Sequence, residues 1–445
     1  MNRRDFISGT AFLAAAGLVP ATKAMDPDEQ KAHDLHAAAK VDKPAKLLDS
    51  PPFLQVPSET SVGVAFAVTA FSLGKVEVAD NPEMRNARTF VSEGMPCAGV
   101  SSRIHTVRVT GLRPATTYCY RIGAAALGHP VGYWMKPSET EWSGVYRFTT
   151  PGTAAASRFA VINDTHADWT RLGGVYACLK RFGAPVTVWN GDVPPSLIED
   201  EETAVGYYLK QPVGDADHAA TAPVLFVRGN HDFRGAWNLT RQADLLMARP
   251  AAERDAKYAS LIRNFAIRQG DIALIGLDTG EDKPDWHPCF AGCASFSPYR
   301  KLQAVWLDDQ FRRPEIAQAP HIVVFCHIPL FDPDPKANPG DVLEDWADWR
   351  KDCAELWGPI LERNRVKVVI AGHKHCYRCD EPTAGRSWTQ ICGGGPGDGV
   401  ERKGRRRFPT VIGGEVRDGK LVISVCNALD GSVVATHAFA GRAGA

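Results

Sequence analysis

The chain has no excess of charge of either sign: 51 Lys and Arg stand against 51 Asp and Glu in 445 residues. That excludes a strongly basic nucleic-acid binder and leaves room only for local patches. Long apolar runs are missing from the body of the chain, where none approaches the ~20 residues that span a bilayer. No internal repeat is present. The eleven cysteines make no disulfide framework, because their number is odd. Cys289 and Cys293 ("CFAGC") and Cys376 and Cys379 ("HCYRC") are each spaced to close a small loop, but spacing leaves the connectivity open. What remains is the composition of a globular protein with a sizeable core and two or three domains.

The N-terminus departs from the rest. "MNRRDFISGTAFLAAAGLVPATKA" sets Arg3-Arg4 before a short apolar stretch and small residues ending at Ala24. It resembles a twin-arginine export signal over residues 1–24, followed by a charged linker over 25–48. The expected location is therefore the periplasm or the cell exterior, with no transmembrane span left after cleavage.

Residues 49–151 read as strands. "TSVGVAFAV" alternates, with Val62, Val64, Phe66 and Val68 on one face, and "KVEVAD", "IHTVRVTGL", "TTYCYRI" and "GVYRFTT" are further short runs between Gly, Pro and Asn. The spacing predicts a small antiparallel β-sandwich. Leu112-Arg-Pro-Ala-Thr-Thr-Tyr118 has the form of a tyrosine corner, in which the phenol bonds back to the main chain.

From residue 156 to 440 the period changes. Continuous apolar runs (Phe159–Ile162, Val186–Trp189, Val224–Val227, Ile272–Leu277, Ile322–Phe325, Val366–Ala371) alternate with segments of helical spacing such as "TRLGGVYACLKRFG" and "RKLQAVWLDDQFRR". This is the pattern of a layered α/β core.

The residues just past these runs carry the chemistry. Asn163-Asp164-Thr-His166, Asn190-Gly191-Asp192, Arg228-Gly229-Asn230-His231-Asp232, Cys326-His327 and Gly372-His373-Lys-His375 each follow a strand candidate. Strand C-termini of an open α/β sheet share one edge, so these groups can converge. Asp164, His166, Asp192, Asn230, His327, His373 and His375 are too many donors for one ion and suit two. Imidazole with carboxylate suits Zn, Fe or Mn. A shared carboxylate would hold the ions about 3.5–4 Å apart. Taken singly, Asp-x-His is a chance pattern, Gly-Asp a common turn and His327 an ordinary core histidine. Their order and their placement after apolar runs set the group apart.

The set resembles the calcineurin-like metallophosphoesterase superfamily, whose signature runs Asp-x-His, Gly-Asp, Gly-Asn-His-Asp/Glu, His, Gly-His-x-His. The preceding domain resembles the fibronectin type III-like N-terminal domain of purple acid phosphatases. The resemblance implies a four-layer αββα double sandwich behind a small all-β sandwich. It implies that Asp164, His166 and His375 hold one metal, Asn230, His327 and His373 the other, and that Asp192 bridges them. By the same resemblance His231 serves as general acid or transition-state donor, and Asp232 orients or charges its imidazole. Pro195 stands where a purple enzyme carries its iron-binding tyrosine, and His166 is present where such enzymes have a non-ligand. The implied site is the generic di-metal one, without charge-transfer colour.

The implied function is an exported phosphoesterase acting on a small phosphoester, with water activated between the two ions as nucleophile. The competing reading is an exported binding protein whose sandwich docks a surface partner while metals only stabilise the fold. His231, which a purely structural site does not need, separates the two. A thiolate zinc site built from Cys326, Cys376 and Cys379 would leave the carboxylates and Asn230 unexplained, so packing or a disulfide is expected for these thiols. "ERKGRRR" (401–407) is expected to be a solvated loop. The stretches 281–300 and 331–349, with His287 and several tryptophans, are expected to flank the site.

Overall fold

The computed structural model describes residues 26–92, 97–215, 217–246, 256–333, 347–402 and 405–442. The twin-arginine signal expected over 1–24 lies outside them, as does most of the 331–349 loop. Two sheets stack face to face. The larger runs Val433–Ala440, Lys420–Asn427, Thr410–Arg417, Arg158–Ile162, Thr187–Asn190, Val224–Val227, Phe53–Gln55, Val62–Ala67, Ile104–Val109. The smaller runs Phe265–Gln269, Ile272–Leu277, His321–Cys326, Val368–Ala371, Thr389–Cys392, Arg378–Asp380.

Period-two alternation divides each central strand between two cores. Phe159, Val161, Val188, Leu225 and Val227 point inward, against Leu274, Val323, Phe325, Val368 and Ile370 of the facing sheet. Ala160, Ile162 and Trp189 point outward, beneath helix Trp169–Phe182 with its buried Leu172, Val175, Tyr176 and Leu179. Ala273, Ile275, Val324 and Val369 point outward on the other side, beneath helices Phe296–Arg312 and Ala347–Arg363. The result is the four-layer αββα arrangement. Strands covered on both faces are buried at nearly every position and largely apolar, which is why this half of the sequence shows runs rather than alternation.

In the N-terminal sandwich Val62, Val64, Phe66 and Val68 face Val76, Val78, Tyr120 and Ile122 of a seven-stranded sheet. Its tyrosine corner closes as expected, the Arg113 N–H donating to Tyr118 Oη at 2.9 Å. The sandwich is not a separate body, however. Three of its strands extend the larger sheet of the second domain. Phe53–Gln55 lies parallel to Val224–Val227, with the Val56 N–H donating to the Val224 carbonyl at 2.9 Å. The face of Val62–Ala67 opposite the sandwich core therefore buries Ala65 and Ala67 in the outer core of the larger sheet. Tyr120 Oη donates to the Ala220 carbonyl at 2.7 Å, and Arg103 joins Asp49 and Glu202 across the same seam.

Two points that the sequence left open are settled by the structure. The linker is partly helical: Asp26 caps Pro27–Ala38 by accepting from the Asp28 N–H, and Lys136 Nζ donates to the His36 and Ala37 carbonyls at the far end. Proline at the first helical position and a cation over the last carbonyls are favourable for local reasons. All eleven cysteines stand as free thiols, so neither close pair forms the loop its spacing allows. Among the described residues no helix is long and apolar enough to cross a membrane.

Candidate metal centre

Five strands of the two sheets deliver the predicted donors to one place. Asp164 and His166 follow Arg158–Ile162, and Asp192 follows Thr187–Asn190. Asn230 follows Val224–Val227, His327 follows His321–Cys326, and His373 and His375 follow Val368–Ala371. Asp164, His166, Asp192 and His375 present ligand atoms within 4.8 Å of one another, and so do Asp192, His327 and His373. His166 Nε2 lies 3.0 Å from His375 Nε2, and His375 Nε2 lies 3.2 Å from Asp164 Oδ1. Asn230 Oδ1 is 3.0 Å from His373 Nδ1. Asp192 is common to both groups, so all seven donors of the predicted set gather.

Backbone geometry brings them there. Asp164, His166, Asp192, His373 and His375 all have φ between 43° and 69°. L-residues enter this left-handed region at a cost, and such strain concentrates at functional sites. Three glycines leave the space this requires. A Cβ on Gly229 would stand 2.3 Å from Asp192 Oδ1, one on Gly191 2.4 Å from His327 Nδ1, and one on Gly372 2.6 Å from Asp164 Oδ2.

Hydrogen bonds then aim the rings. His327 Nδ1 donates to the Asn190 carbonyl at 2.8 Å, and His166 Nδ1 donates to the Pro194 carbonyl at 3.2 Å. Each bond turns Nε2 toward the carboxylates, the arrangement that backbone carbonyls impose on metal-binding histidines. His327 Nε2 is buried without a hydrogen-bond partner, 3.3 Å from Asp192 Oδ2. Burial opposes charge on Asp164, but His327 and His375 outweigh it and hold that carboxyl down to about 2. Asp192 is driven lower still, against burial, by the imidazoles around it. An orphaned imidazole nitrogen between two ionised, buried carboxylates is a place that calls for positive charge. The donor set fits two cations of the Zn, Fe or Mn class.

His231 stands at the edge of this group, its ring 4.7 Å from that of His166 and its N–H donating to Asp192 Oδ1 at 2.8 Å. Burial foremost pushes its imidazole down to about 4. Asp232 does not do what the motif suggested. Its carboxylate turns away from that ring and accepts from the N–H groups of Asp192 at 2.7 Å, Gly229 at 2.8 Å and Val193 at 3.3 Å. The adjacent positions point in opposite directions, so Asp232 fixes the backbone that carries Asp192. Burial, and then the charge of Asp192, push its own carboxyl up to about 7.

Several contributors were not foreseen. Arg234 lies with Nη1 3.1 Å from His231 Nε2 and is anchored by Glu281 at 3.0 Å. Asn163 and Asn190 are clamps: Asn163 Nδ2 donates to Asp164 Oδ2 and to the Gly394 carbonyl, while Asn190 Nδ2 donates to the Cys326 and Ile370 carbonyls of the facing sheet. Gly395 packs so closely on Asp164 and His375 that a Cβ would come within 2.9 Å of each. Gly393-Gly394-Gly395 follows the strand Thr389–Cys392, whose Thr-Gln-Ile-Cys sequence is no apolar run, so only the three glycines signal this tip in the sequence. The 281–300 stretch, whose last residues open helix Phe296–Arg312, meets Phe233, next to Asp232 in the chain, through a series of ring contacts from Phe290 to Phe296 to Phe233. His287 is taken up locally, accepting from the Cys289 N–H. Within 401–407, Arg406 and Arg407 are exposed beside a short hairpin.

Comparison with known proteins agrees with this geometry. Residues 157–377 match the model of the calcineurin-like phosphoesterase family, and residues 54–150 match that of the purple acid phosphatase N-terminal domain. Purple acid phosphatase 21 of Arabidopsis thaliana is 25% identical over 324 residues, which cover 68% of this chain and 60% of that protein. The chain thus spans less than two thirds of this relative. The fold is shared with a purple acid phosphatase from yellow lupin (Lupinus luteus) seeds, at 15% identity and a TM-score of 0.57, over 87% of this chain and 74% of that one. It is shared also with PhoD, at 12% identity and a TM-score of 0.60, over 89% and 90% of the two chains.

Proposed function

We propose that this chain, whose residues 157–377 match the calcineurin-like phosphoesterase model and residues 54–150 that of the purple acid phosphatase N-terminal domain, hydrolyses phosphate esters at a two-metal site. The observation that carries the reading is the convergence of seven donors from five strand tips, with His327 Nε2 orphaned between Asp164 and Asp192.

Asp164, His166 and His375 would hold one cation, Asn230, His327 and His373 the other, with Asp192 common to both. When bound, the pair supplies Lewis-acid neutralisation of the phosphoryl oxygens and a nucleophilic water at neutral pH. The protein's own part is orientation and proton handling. The Asn190 and Pro194 carbonyls keep protons on Nδ1 of His327 and His166, so that each Nε2 faces inward. Asp232 and the N–H of His231 hold the Asp192 carboxylate and its backbone in register. His231, at the rim, gives a hydrogen bond or a proton to the leaving-group oxygen. Arg234, beside its Nε2, places a fixed positive charge where negative charge accumulates in the transition state. Pro195 stands where a purple enzyme carries its iron-binding tyrosine, so no tyrosinate colour is expected of an iron-loaded sample. Export by the twin-arginine route, in the folded and metal-loaded state, is part of this proposal.

The test is turnover of an aryl phosphate monoester and of the corresponding diester by metal-replete protein. Loss of that turnover in Asp192→Asn, with the melting transition retained, is the expected result. Absence of turnover with every phosphoester tried by protein that carries two metals per chain would return the reading to a binding protein.

A further inference from the structure

A second group of ligand-type side chains lies outside the strand-tip centre. Cys379, Glu381 and His437 present Sγ, a carboxylate oxygen and a ring nitrogen within 4.8 Å of one another. Cys379 Sγ is 3.5 Å from Glu381 Oε1 and 3.9 Å from His437 Nδ1. The other ring nitrogen, Nε2, is engaged by Tyr377 Oη at 3.0 Å.

The placement of the three is specific. Cys379 is on Arg378–Asp380, the last strand of the six-stranded sheet, and His437 is on Val433–Ala440, the last strand of the nine-stranded sheet. Along the latter, Ala435, His437 and Phe439 are the half-buried positions, alternating with exposed ones. Ala435 and Phe439 flank the imidazole and, with Tyr377 and Cys379, close the open side of the core between the sheets. Glu381 is exposed, so the group is accessible from solvent. From these observations we infer that Cys379, Glu381 and His437 form a separate zinc-class site that joins the edge strands of the two stacked sheets.

The chemistry supports a cation there. One thiolate, one imidazole and one carboxylate make three of the four positions of a tetrahedral zinc site, with water from the solvent side as the fourth. The soft sulfur selects Zn(II) over Mg or Ca. In the metal-free protein burial, and then the Glu381 carboxylate, push the Cys379 thiol up to about 12. A dication reverses that balance, since it displaces the thiol proton to solvent and is attracted by both anionic groups. With Nδ1 on the metal, Nε2 keeps its proton and donates to Tyr377 Oη, the kind of outer partner that fixes metal-bound histidines. The rejected thiolate site near the catalytic histidines joined Cys379 to Cys326 and Cys376. The structure gives Cys379 a different set of neighbours.

Cobalt titration of the full chain tests this independently of activity. The strand-tip centre has no sulfur donor, so a thiolate-to-cobalt charge-transfer band in the near ultraviolet reports this site alone. The expected result is a band that saturates at one cobalt per chain. It should persist in Asp192→Asn, disappear in Cys379→Ser and weaken in Glu381→Gln, an exposed position whose change leaves folding intact. Zinc content by elemental analysis should fall by one equivalent per chain in Cys379→Ser, whatever the strand-tip centre holds. No band in the wild-type chain, or a band undiminished in both Cys379→Ser and Glu381→Gln, would overturn the inference.

Discussion

His327 Nδ1 donates to the Asn190 carbonyl oxygen across 2.8 Å, tying the tip of a strand in one sheet to the tip of a strand in the other. The Asn190 side chain reinforces the same crossing by donating to the Cys326 and Ile370 carbonyls. The candidate ligand and its support therefore come from opposite sheets, and the site is only as well formed as the sheet-to-sheet contact beneath it.

Replacing Asn190 by Ala leaves two buried carbonyls without their donor. We expect a loss of about 1–3 kcal/mol in stability and a roughly 10–100-fold fall in metal affinity at the His327 position. Chemical denaturation and metal-buffered titration measure the two effects separately.

Gly229→Ala forces a Cβ to within 2.3 Å of Asp192 Oδ1. Displacement of the common carboxylate should lower turnover by about 100-fold or more. Gly173→Ala is the control: it lies within helix Trp169–Phe182 with open space around it. That change should leave turnover alone and stabilise the chain by up to about 1 kcal/mol.

His231→Ala and Asp232→Ala should fail in different ways. The first keeps both metals and loses kcat, since the imidazole is at the rim. The second lowers metal content, because the Asp232 carboxylate holds the Asp192 and Gly229 N–H groups. If Asp232 acted through His231, the two variants would share one phenotype of full metal loading and reduced kcat.

His105 gives the stability a pH dependence away from the metal centre. It is buried in the sandwich, with Nε2 on Ser72 Oγ and Nδ1 without a partner. Burial pushes it down from 6.5 to about 4. The folded state thus binds fewer protons than the unfolded state in this window. Stability is complete above pH ~6.5 and falls by up to about 3 kcal/mol as the pH drops toward 4. Melting temperatures from pH 7 to 4 should show that slope, and His105→Gln should flatten part of it. His218, likewise pushed down to about 4 by burial, contributes to the slope that remains.

Much of the site was legible because strand, glycine and ligand follow one another directly in the chain. The apolar runs located the strand tips, and the donor types did the rest. Asp232 was misread because neighbours in sequence face opposite ways, and only the tight turn at Gly229 decides which faces the solvent side. Arg234 and the asparagine clamps escaped notice because their partners are distant in sequence, as with Asn163 and Gly394. The fusion of the sandwich to the larger sheet was invisible for a related reason. Its junction is a parallel contact between Gln55 and Val224, and no local pattern encodes a pairing over that separation.

That junction has a practical meaning for anyone dissecting the chain. A fragment that starts after the sandwich would strip Val224–Val227 of its neighbour and leave bare a row of amides and carbonyls. Such an unprotected margin recruits any extended peptide within reach, including another copy of itself. The sandwich thus serves the catalytic half as a permanent sheath.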